Sequence, residues 1–172
     1  MLNNKVVVIT GGAGLIGQEF IKAVVEQNGI AIIADINEEV GNKVKENLSR
    51  ELNTQNVDFV NLDITSKESL GECINYLDNK YKRIDALVNN AYPRNKNYAR
   101  HFFDVEYEDF VENLGLNLGG YFTTSQQFAK YFKSQGNGNI INISSIYGII
   151  APKFEVYAGT NMTTPVEYAA IK

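Results

Sequence analysis

A short apolar segment followed directly by a glycine-rich turn is the feature that most constrains the fold of this chain. Val6 to Ile9 is a continuous β-branched run, as expected for a strand buried on both faces. The turn Gly12-Ala13-Gly14-Leu15-Ile16-Gly17 follows, and it leads into a segment, Gln18 to Gln27, with apolar residues at helical spacing. A strand, a GxGxxG turn and a helix in this order predict a dinucleotide-binding βαβ unit.

The three glycines of the turn have separate roles in such a unit. Gly12 allows the tight turn, Gly14 lets the backbone approach a pyrophosphate, and Gly17 lets the helix pack closely on the strand. The start of the helix supplies amide donors for phosphates. Leu15 and Ile16, within the glycine motif, are also candidate cofactor-binding residues. An ordinary glycine-rich turn is the alternative, and the flanking elements favour the dinucleotide site.

Strand-like and helix-like segments alternate along the rest of the chain. Further strands are predicted at 30–34, 57–61, 84–88 and 140–143, and helices at 66–78, over most of 104–134, and along an apolar stripe of Val40, Val44, Leu48 and Leu52. Such alternation builds a parallel sheet with helices on both faces. We therefore predict an α/β chain with a doubly wound, Rossmann-type sheet of strand order 3-2-1-4-5, forming one domain over residues 1–172.

Asp35 stands at the end of the second predicted strand, 18 residues after Gly17. A carboxylate in this place can accept hydrogen bonds from the ribose hydroxyls of adenosine, and it would repel the 2′-phosphate of NADP. Its neighbours Ile36 and Asn37 supply no arginine to bind such a phosphate. The pattern favours NAD as the cofactor, and a helix-capping aspartate is the alternative.

Charge and cysteine content exclude several classes of function. The 16 basic and 20 acidic residues give a net charge of −4 without a block of like charges, so we expect no nucleic-acid partner. The single Cys73 cannot form an intrachain disulfide, and neither it nor the single His101 offers metal-ligand spacing, so we expect no metal site and a reducing, cytoplasmic location. No apolar stretch is long enough to predict a membrane segment.

Tyr168 and Lys172 are separated by four positions near the end of the chain, so on a helix they share one face. A tyrosine beside a surface lysine is common by chance. The position of this pair after the fifth strand of a dinucleotide-binding fold makes it a candidate for the reaction. A capping box, with Thr164 as N-cap and Glu167 three residues later, is predicted to begin that helix.

Taken together, these motifs make the chain similar to the short-chain dehydrogenase/reductase family over nearly its whole length. The matching segments are Thr10 to Gly17, Leu62-Asp63-Ile64, Asn89-Asn90-Ala91, Asn117, Ile143-Ser144-Ser145 and Tyr168-Ala169-Ala170-Ile171-Lys172. The chain also resembles bacterial members that are linked to surface-polysaccharide or flagellin-sugar modification.

The resemblance implies roles for individual residues. Gly11, Asp63, Ile64, Asn90 and Ala91 would join the glycine turn and Asp35 in holding NAD, with Asp63 at the adenine. Four residues would be catalytic: Asn117, Ser145, Tyr168 and Lys172. Two of these, Tyr168 and Lys172, would also contact the cofactor. Tyr168 would exchange a proton with the substrate oxygen, and Ser145 would hydrogen-bond that oxygen. Lys172 would bind the nicotinamide ribose, and Asn117 would hold a water molecule. Ser144 is the second choice for the serine.

Three features depart from the pattern of the simple family members. The glycines follow the pattern TGxxGxxG. Ser145 lies 23 residues before Tyr168, which is about twice the usual separation. Both features are typical of the nucleotide-sugar epimerases and dehydratases of the same superfamily. The segment 92–101 replaces the usual glycine after Asn-Asn-Ala and carries four side chains that can be cationic: Arg94, Lys96, Arg100 and His101. An anionic or sugar-phosphate substrate would suit this loop, and a solvated surface loop is the alternative.

Three functions are therefore compared. The first is an NAD-dependent oxidoreductase acting on a small molecule with a carbonyl/alcohol pair, and a sugar or sugar-phosphate derivative is the expected substrate. The second is a nucleotide-sugar epimerase or dehydratase, and the third is a dinucleotide-binding module without catalysis. We expect the chain to be truncated at its C-terminus, because the family resembled normally has seven strands where five are predicted, which leaves the outer edge of the fifth strand exposed, and because the last helix ends within about two turns. We expect the full-length form to be a homo-oligomer.

Overall fold

A five-stranded parallel sheet forms the centre of the computed structural model, which describes residues 1–172. Its strands are β1 (Val6–Thr10), β2 (Ile30–Asp35), β3 (Val57–Asn61), β4 (Ala86–Asn89) and β5 (Asn139–Asn142). They lie in the order β3-β2-β1-β4-β5, as predicted. The order reverses direction at β1, and in open α/β sheets ligands bind at such a switch point, beyond the carboxyl ends of the strands.

Six helices accompany the strands: α1 (Leu15–Glu26), α2 (Glu38–Glu51), α3 (Lys67–Tyr81), α4 (Tyr107–Leu114), α5 (Gly120–Gln135) and α6 (Val166–Ile171). The predicted helix over 104–134 is divided, because a π-helical turn, Gly115–Gly119, separates α4 from α5. Gly115 and Gly119 bound this turn, and glycine is a poor helix former. The first helix begins at Leu15, three residues earlier than predicted, because its first turn belongs to the glycine motif and lacks apolar periodicity.

Contacts within the chain group its residues into two compact units. Unit 1 comprises Met1–Ala91 and Tyr121–Asn142, and unit 2 comprises Tyr92–Gly120 and Ile143–Lys172. All five strands belong to unit 1.

Unit 1 has an apolar core. β1 is buried along its whole length, as its β-branched sequence predicts. Val44 and Leu48 of the predicted stripe on α2 are buried as expected, but Val40 is 43% exposed, so the buried stripe is shorter than its spacing suggested. The core is completed by side chains from α3 and α5, with Leu70, Leu77 and Phe128 fully buried.

Unit 2 differs in what it buries. No hydrophobic side chain of unit 2 is buried, whereas Asn113, Asn117, Thr164 and Glu167 are. Both carboxylate oxygens of Glu167 and the hydroxyl of Thr164 are buried without a hydrogen-bond partner. This unit is therefore organised by polar groups and half-buried aromatic rings.

The predicted capping box at Thr164 is wrong. The N-cap of α6 is Pro165, no side chain caps this helix, and the Thr164 hydroxyl makes no hydrogen bond. The helix begins one residue later than the capping signature requires, so the threonine and Glu167 cannot exchange the two hydrogen bonds of such a box.

No helix of the structure combines the length and the apolar character needed to span a membrane. No group of His, Cys, Asp or Glu side chains is arranged to hold a metal ion. The thiol of Cys73 is free and buried, and burial raises its pKa to about 12.

Candidate active site

The glycine turn after β1 has the shape that a dinucleotide site requires. A Cβ on Gly12 would lie 2.9 Å from the Ile9 carbonyl oxygen, and a Cβ on Gly17 would overlap the Gly11 carbonyl oxygen. Gly11 has a φ of +62°, which favours glycine. Gly14 is exposed and meets less obstruction, so its backbone is open to a ligand. Gly12 and Gly17 thus leave no room for a side chain, and the role of Gly14 toward a pyrophosphate stays a prediction.

The start of α1 is open as well. Gly14 is its N-cap, no side chain caps the helix, and its first turn contains no acidic residue. Leu15 and Ile16 are largely exposed. The first backbone N–H groups of a helix have no acceptor within the helix, so these amides can bind the phosphates of a dinucleotide.

Asp35, at the end of β2, lies against the glycine turn. Its carboxylate accepts hydrogen bonds from the backbone N–H of Ala13 (3.2 Å) and of Asn37 (3.1 Å). The cap of α2 is Asn37, whose side chain accepts from the Val40 N–H at 3.0 Å. Asp35 is therefore not the helix cap, and its partly exposed carboxylate keeps acceptor capacity for a ligand.

The end of β4 is tied to the end of β1 through Thr10. The Thr10 hydroxyl accepts from the backbone N–H of Asn90 (3.0 Å) and of Ala91 (3.1 Å) and donates to the Val88 carbonyl (3.3 Å). The Asn90 side chain donates in turn to the Thr10 and Gly11 carbonyls. The Asn-Asn-Ala segment thereby holds the glycine turn in place.

Asp63 and Ile64 follow β3. The Asp63 carboxylate accepts from the backbone N–H of Thr65 (2.8 Å) and from its hydroxyl (2.7 Å), so it organises its own turn. The Ile64 side chain is buried in the core of unit 1. Neither contact tests the expected role at the adenine, which stays a prediction.

Tyr168 and Lys172 lie together on α6 and its C-cap. The Lys172 ammonium nitrogen is 5.9 Å from the centre of the Tyr168 ring, and it donates a 2.7 Å hydrogen bond to the Ile143 carbonyl. Burial lowers the pKa of Lys172. The rings of Tyr92 and Tyr147 contact Tyr168 edge-on, with centroid distances of 5.6 and 6.4 Å. The candidate phenol is thus held between two other rings, beside a partly desolvated ammonium.

The two neighbouring serines have different contacts. The Ser144 hydroxyl donates a 2.8 Å hydrogen bond to the backbone oxygen of Lys172. The Ser145 hydroxyl instead accepts from the Tyr147 N–H at 3.3 Å, so its own proton can be donated elsewhere. The proton of Ser144 is therefore already used within the chain, whereas that of Ser145 is available, and the assignment of the substrate contact to Ser145 stays a prediction.

Asn117 is buried at the centre of the π-helical turn. Its side-chain nitrogen donates to the carbonyls of Pro93 (2.6 Å) and Asn113 (3.0 Å). Its side-chain oxygen is buried without a hydrogen-bond partner. The amide joins the segment after β4 to α4, and any water that it holds must be bound by that oxygen. π-helical turns are frequent at functional sites.

The cationic loop is held by an acidic side chain of α4. Asp109 accepts hydrogen bonds from the side chains of Asn95 and Asn97, and it forms an ion pair with Arg100 at 3.2 Å. Arg94 is exposed and lies over the ring of Tyr98, at 5.4 Å from its centre. One of the four candidate cations is therefore already paired.

Two groups that contact the site residues, Tyr92 and the Ile143 carbonyl, were not predicted from the sequence. Tyr92 contacts both Lys172 and Tyr168, and the only signal for it was the departure from the family's glycine. The Ile143 carbonyl anchors Lys172, and no side-chain pattern can indicate a main-chain oxygen.

Comparison with known proteins agrees with this geometry. Residues 5–162 match the short chain dehydrogenase family. A curated relative, the post-translational flagellin modification protein A of Campylobacter coli, is 44% identical over 173 residues, with 100% of this chain and 67% of the relative covered.

Two solved structures share the fold and cover 99% of this chain. An NAD⁺-bound xylitol dehydrogenase has a TM-score of 0.82 and 25% identity, and 60% of its chain is covered. A gluconate 5-dehydrogenase from Burkholderia cenocepacia, in complex with NADP and tartrate, has a TM-score of 0.80 and 26% identity, and 61% of its chain is covered. The chain thus spans 60 to 67% of the length of these three proteins.

Proposed function

The chain belongs to the short-chain dehydrogenase family, and from this premise we propose that it is the cofactor-binding and proton-transferring part of an NAD-dependent oxidoreductase. The observation that carries the proposal is the pairing of Tyr168 with Lys172 on one helix face. The ammonium lies 5.9 Å from the phenol ring and is anchored on the Ile143 carbonyl.

The pairing suits proton transfer at the Tyr168 hydroxyl. A cation beside the ring would stabilise the negative charge that develops on the oxygen as the proton leaves. A second phenol beside the ammonium, Tyr92, is unsuited to this role, because burial raises its pKa and its hydroxyl lies 3.0 Å from that of Tyr98. We therefore assign the proton donor and acceptor to Tyr168.

The remaining residues bind or orient. Ser145 donates a hydrogen bond to the substrate oxygen, and Lys172 holds the charge near the phenol. The glycine turn and the amides at the start of α1 hold the pyrophosphate of a dinucleotide, and Asp35 holds its adenosine ribose. A bound nicotinamide supplies or accepts the hydride in such a reaction.

Asp35 is the reason for proposing that the chain prefers NAD to NADP as its cofactor. Related structures hold NAD⁺ in one case and NADP in another, so the family alone leaves both open. The Asp35 carboxylate lies against the glycine turn through its bond to the Ala13 N–H, and its negative charge would oppose a 2′-phosphate.

A carbohydrate is the proposed substrate class. The relatives named as xylitol and gluconate dehydrogenases act on polyhydroxylated molecules, and the Campylobacter coli relative is named for flagellin modification. The exposed Arg94 would suit an anionic derivative of such a molecule.

The lone buried thiol of Cys73 fits the reducing, cytoplasmic location expected from the sequence.

A second candidate is the epimerase or dehydratase of a nucleotide sugar, favoured by the spacing of 23 residues between Ser145 and Tyr168. In that reaction the cofactor is regenerated within each turnover. Accumulation of NADH in proportion to product supports the dehydrogenase, whereas product without NADH supports the second candidate.

Substitution of Tyr168→Phe tests the central assignment. The ring is retained and the transferable proton is lost, so turnover of a polyol or sugar panel should fall about a hundredfold or more while NAD binding changes little. Rates are followed by nicotinamide absorbance and binding by calorimetry.

The matched control is Tyr107→Phe, which removes a hydroxyl from an exposed tyrosine of α4. This variant should keep the wild-type rate. Undiminished turnover in Tyr168→Phe would overturn the assignment of the proton-transfer group.

A further inference from the structure

Tyr92 is the first residue after the Asn-Asn-Ala segment, and its ring lies closer to the Lys172 ammonium than the ring of Tyr168 does. The ammonium nitrogen is 5.1 Å from the centre of the Tyr92 ring and 5.9 Å from that of Tyr168. The two rings also contact each other, at 5.6 Å and an interplanar angle of 63°. One cation is thus shared by two aromatic side chains that touch.

The hydroxyl of Tyr92 is engaged away from this contact. It lies 3.0 Å from the Tyr98 hydroxyl, and burial raises the pKa of Tyr92 well above its ordinary value. The phenol therefore stays neutral, and the part of the side chain that faces Lys172 is the ring.

The backbone around Tyr92 is held firmly. The carbonyl of the next residue, Pro93, accepts the 2.6 Å hydrogen bond from Asn117, and the Asn95 backbone N–H donates to the Asn113 side chain at 3.0 Å. Both partners are buried. A ring carried on this anchored segment can fix the position of a flexible lysine.

We propose that Tyr92 is a positioning residue for the proposed reaction, whose ring face holds the Lys172 ammonium beside Tyr168. The inference rests on the proposed function for its consequence in catalysis. An ammonium over an aromatic face is attracted by the ring quadrupole, most strongly where water is excluded. The ammonium is held by two contacts: it donates a hydrogen bond to the Ile143 carbonyl, and it lies over the face of the Tyr92 ring.

The test compares side chains of similar bulk with and without an aromatic face. In the 172-residue chain with lysine labelled by carbon-13 at Cε, the titration of Lys172 is followed by NMR, and Lys172→Met identifies its signal. Tyr92→Leu keeps apolar bulk but removes the attraction to the cation. The pKa of Lys172 should therefore fall, by about 0.4 to 1.5 for a cation–π contact of ordinary strength.

Two variants separate the ring from the hydroxyl. Tyr92→Phe and Tyr98→Phe each break the hydroxyl pair from one side and keep the Tyr92 ring, so both should leave the Lys172 titration close to wild type. A Leu variant that titrates like wild type overturns the proposal, and so does a Phe variant that moves as far as Leu. If Tyr92→Leu does not fold, as judged by circular dichroism, Tyr92→Met provides the non-aromatic side chain for the same comparison.

Turnover measurements separate this inference from the proposed function. If Tyr168→Phe keeps full activity, the proposed function fails whatever the NMR titration shows. If Tyr168→Phe is inactive, Tyr92→Leu should lower kcat more than it raises KM, and Tyr92→Phe should restore kcat. An unchanged kcat in Tyr92→Leu would contradict the positioning role alone.

Discussion

At the scale of single residues, the site depends on side chains whose hydrogen-bonding capacity is only partly used within the chain. The Ser145 hydroxyl accepts one hydrogen bond and keeps its proton. The Asp35 carboxylate accepts from two backbone amides, and a carboxylate offers about four acceptor positions. The unused capacity at these residues is what a substrate and a ribose would occupy.

Asp35→Ala should weaken NAD binding about tenfold or more and reduce the preference for NAD over NADP. The substitution removes charge-assisted hydrogen bonds to the ribose and the repulsion of a 2′-phosphate. Dissociation constants for both cofactors give the answer. Glu38→Ala is the matched control, because it removes an equal charge from an exposed position three residues away, on the first turn of α2. Tight NADP binding by the wild-type chain would contradict the assignment.

At the scale of elements, the glycine turn and α1 are joined by a contact that leaves no room for a side chain. A Cβ on Gly17 would overlap the Gly11 carbonyl oxygen and lie 2.7 Å from the Gly12 Cα. These neighbours are backbone atoms, so relief requires the helix to move. The same contact fixes where the first amides of α1 point.

Gly17→Ala should therefore lower the free energy of unfolding by about 1 to 3 kcal/mol, as overpacked sites do, and weaken NAD binding. Chemical denaturation measures the first effect and calorimetry the second. Gly71→Ala is the control, because its Cβ would meet nothing within 4 Å on α3. That variant should gain roughly 0.5 to 1 kcal/mol from helix propensity. Equal stability of the two variants would show that the contact at Gly17 is not tight.

Asp58 on β3 joins two helices through its buried carboxylate. It accepts hydrogen bonds from Lys45 of α2 (2.8 Å) and from Lys80 (2.6 Å) and Tyr81 (2.9 Å) of α3. Burial by itself would raise the pKa of Asp58, but these three donors outweigh it and lower the pKa to about 2. The carboxylate is thus held in its charged form by the fold.

The pKa of Asp58 is lower in the folded chain than in the unfolded chain, where it is about 4. Its charged form therefore stabilises the fold above pH ~4, and this stabilisation is lost as the pH falls toward 2. Urea denaturation should show decreasing stability over this interval. Asp58→Asn should be less stable than wild type at neutral pH and should have a flatter pH dependence. Parallel curves for the two proteins would contradict this account.

The sequence predicted the elements of unit 1 far better than the contacts of unit 2. Continuous apolar runs such as Val6 to Ile9 and the periodicity of Val44 and Leu48 report burial directly, so the strands and the first helices could be placed. The strand order followed from the dinucleotide-binding pattern of the first βαβ unit. Thr164 has a capping signature but does not cap α6, because the helix begins one residue later than this signature requires and Pro165 takes the N-cap position. Tyr92 contacts Lys172 across 80 positions of sequence, and no local pattern contains that information.

At the scale of the whole molecule, the sheet ends on a strand that is paired on one side. β5 lies at the edge of the sheet beside β4, and three of its four residues are exposed. Ile141 in its middle is 47% exposed. An apolar edge strand with free backbone groups can pair with a second chain.

Ile141→Lys should therefore reduce concentration-dependent self-association of the 172-residue chain, because a charged edge disfavours strand addition. Sedimentation velocity over a range of concentrations measures the effect. Ile149→Lys adds the same charge at an exposed position outside the sheet and serves as the control. Equal suppression by both variants would indicate that net charge, and not the strand edge, governs association.

The polar interior of unit 2 has a consequence for how the chain responds to temperature. Apolar surface that becomes hydrated on unfolding produces the large heat-capacity change of proteins, and polar surface opposes it. The buried apolar side chains all belong to unit 1, whereas unit 2 buries Asn113, Asn117, Thr164 and Glu167. Cooling weakens apolar association, so the cold sensitivity of this chain resides in the sheet and its helices. The segment that carries Tyr168 and Lys172 buries no aliphatic side chain and is held by the Lys172 hydrogen bond and by edge-on aromatic contacts, so we expect cooling to weaken it less.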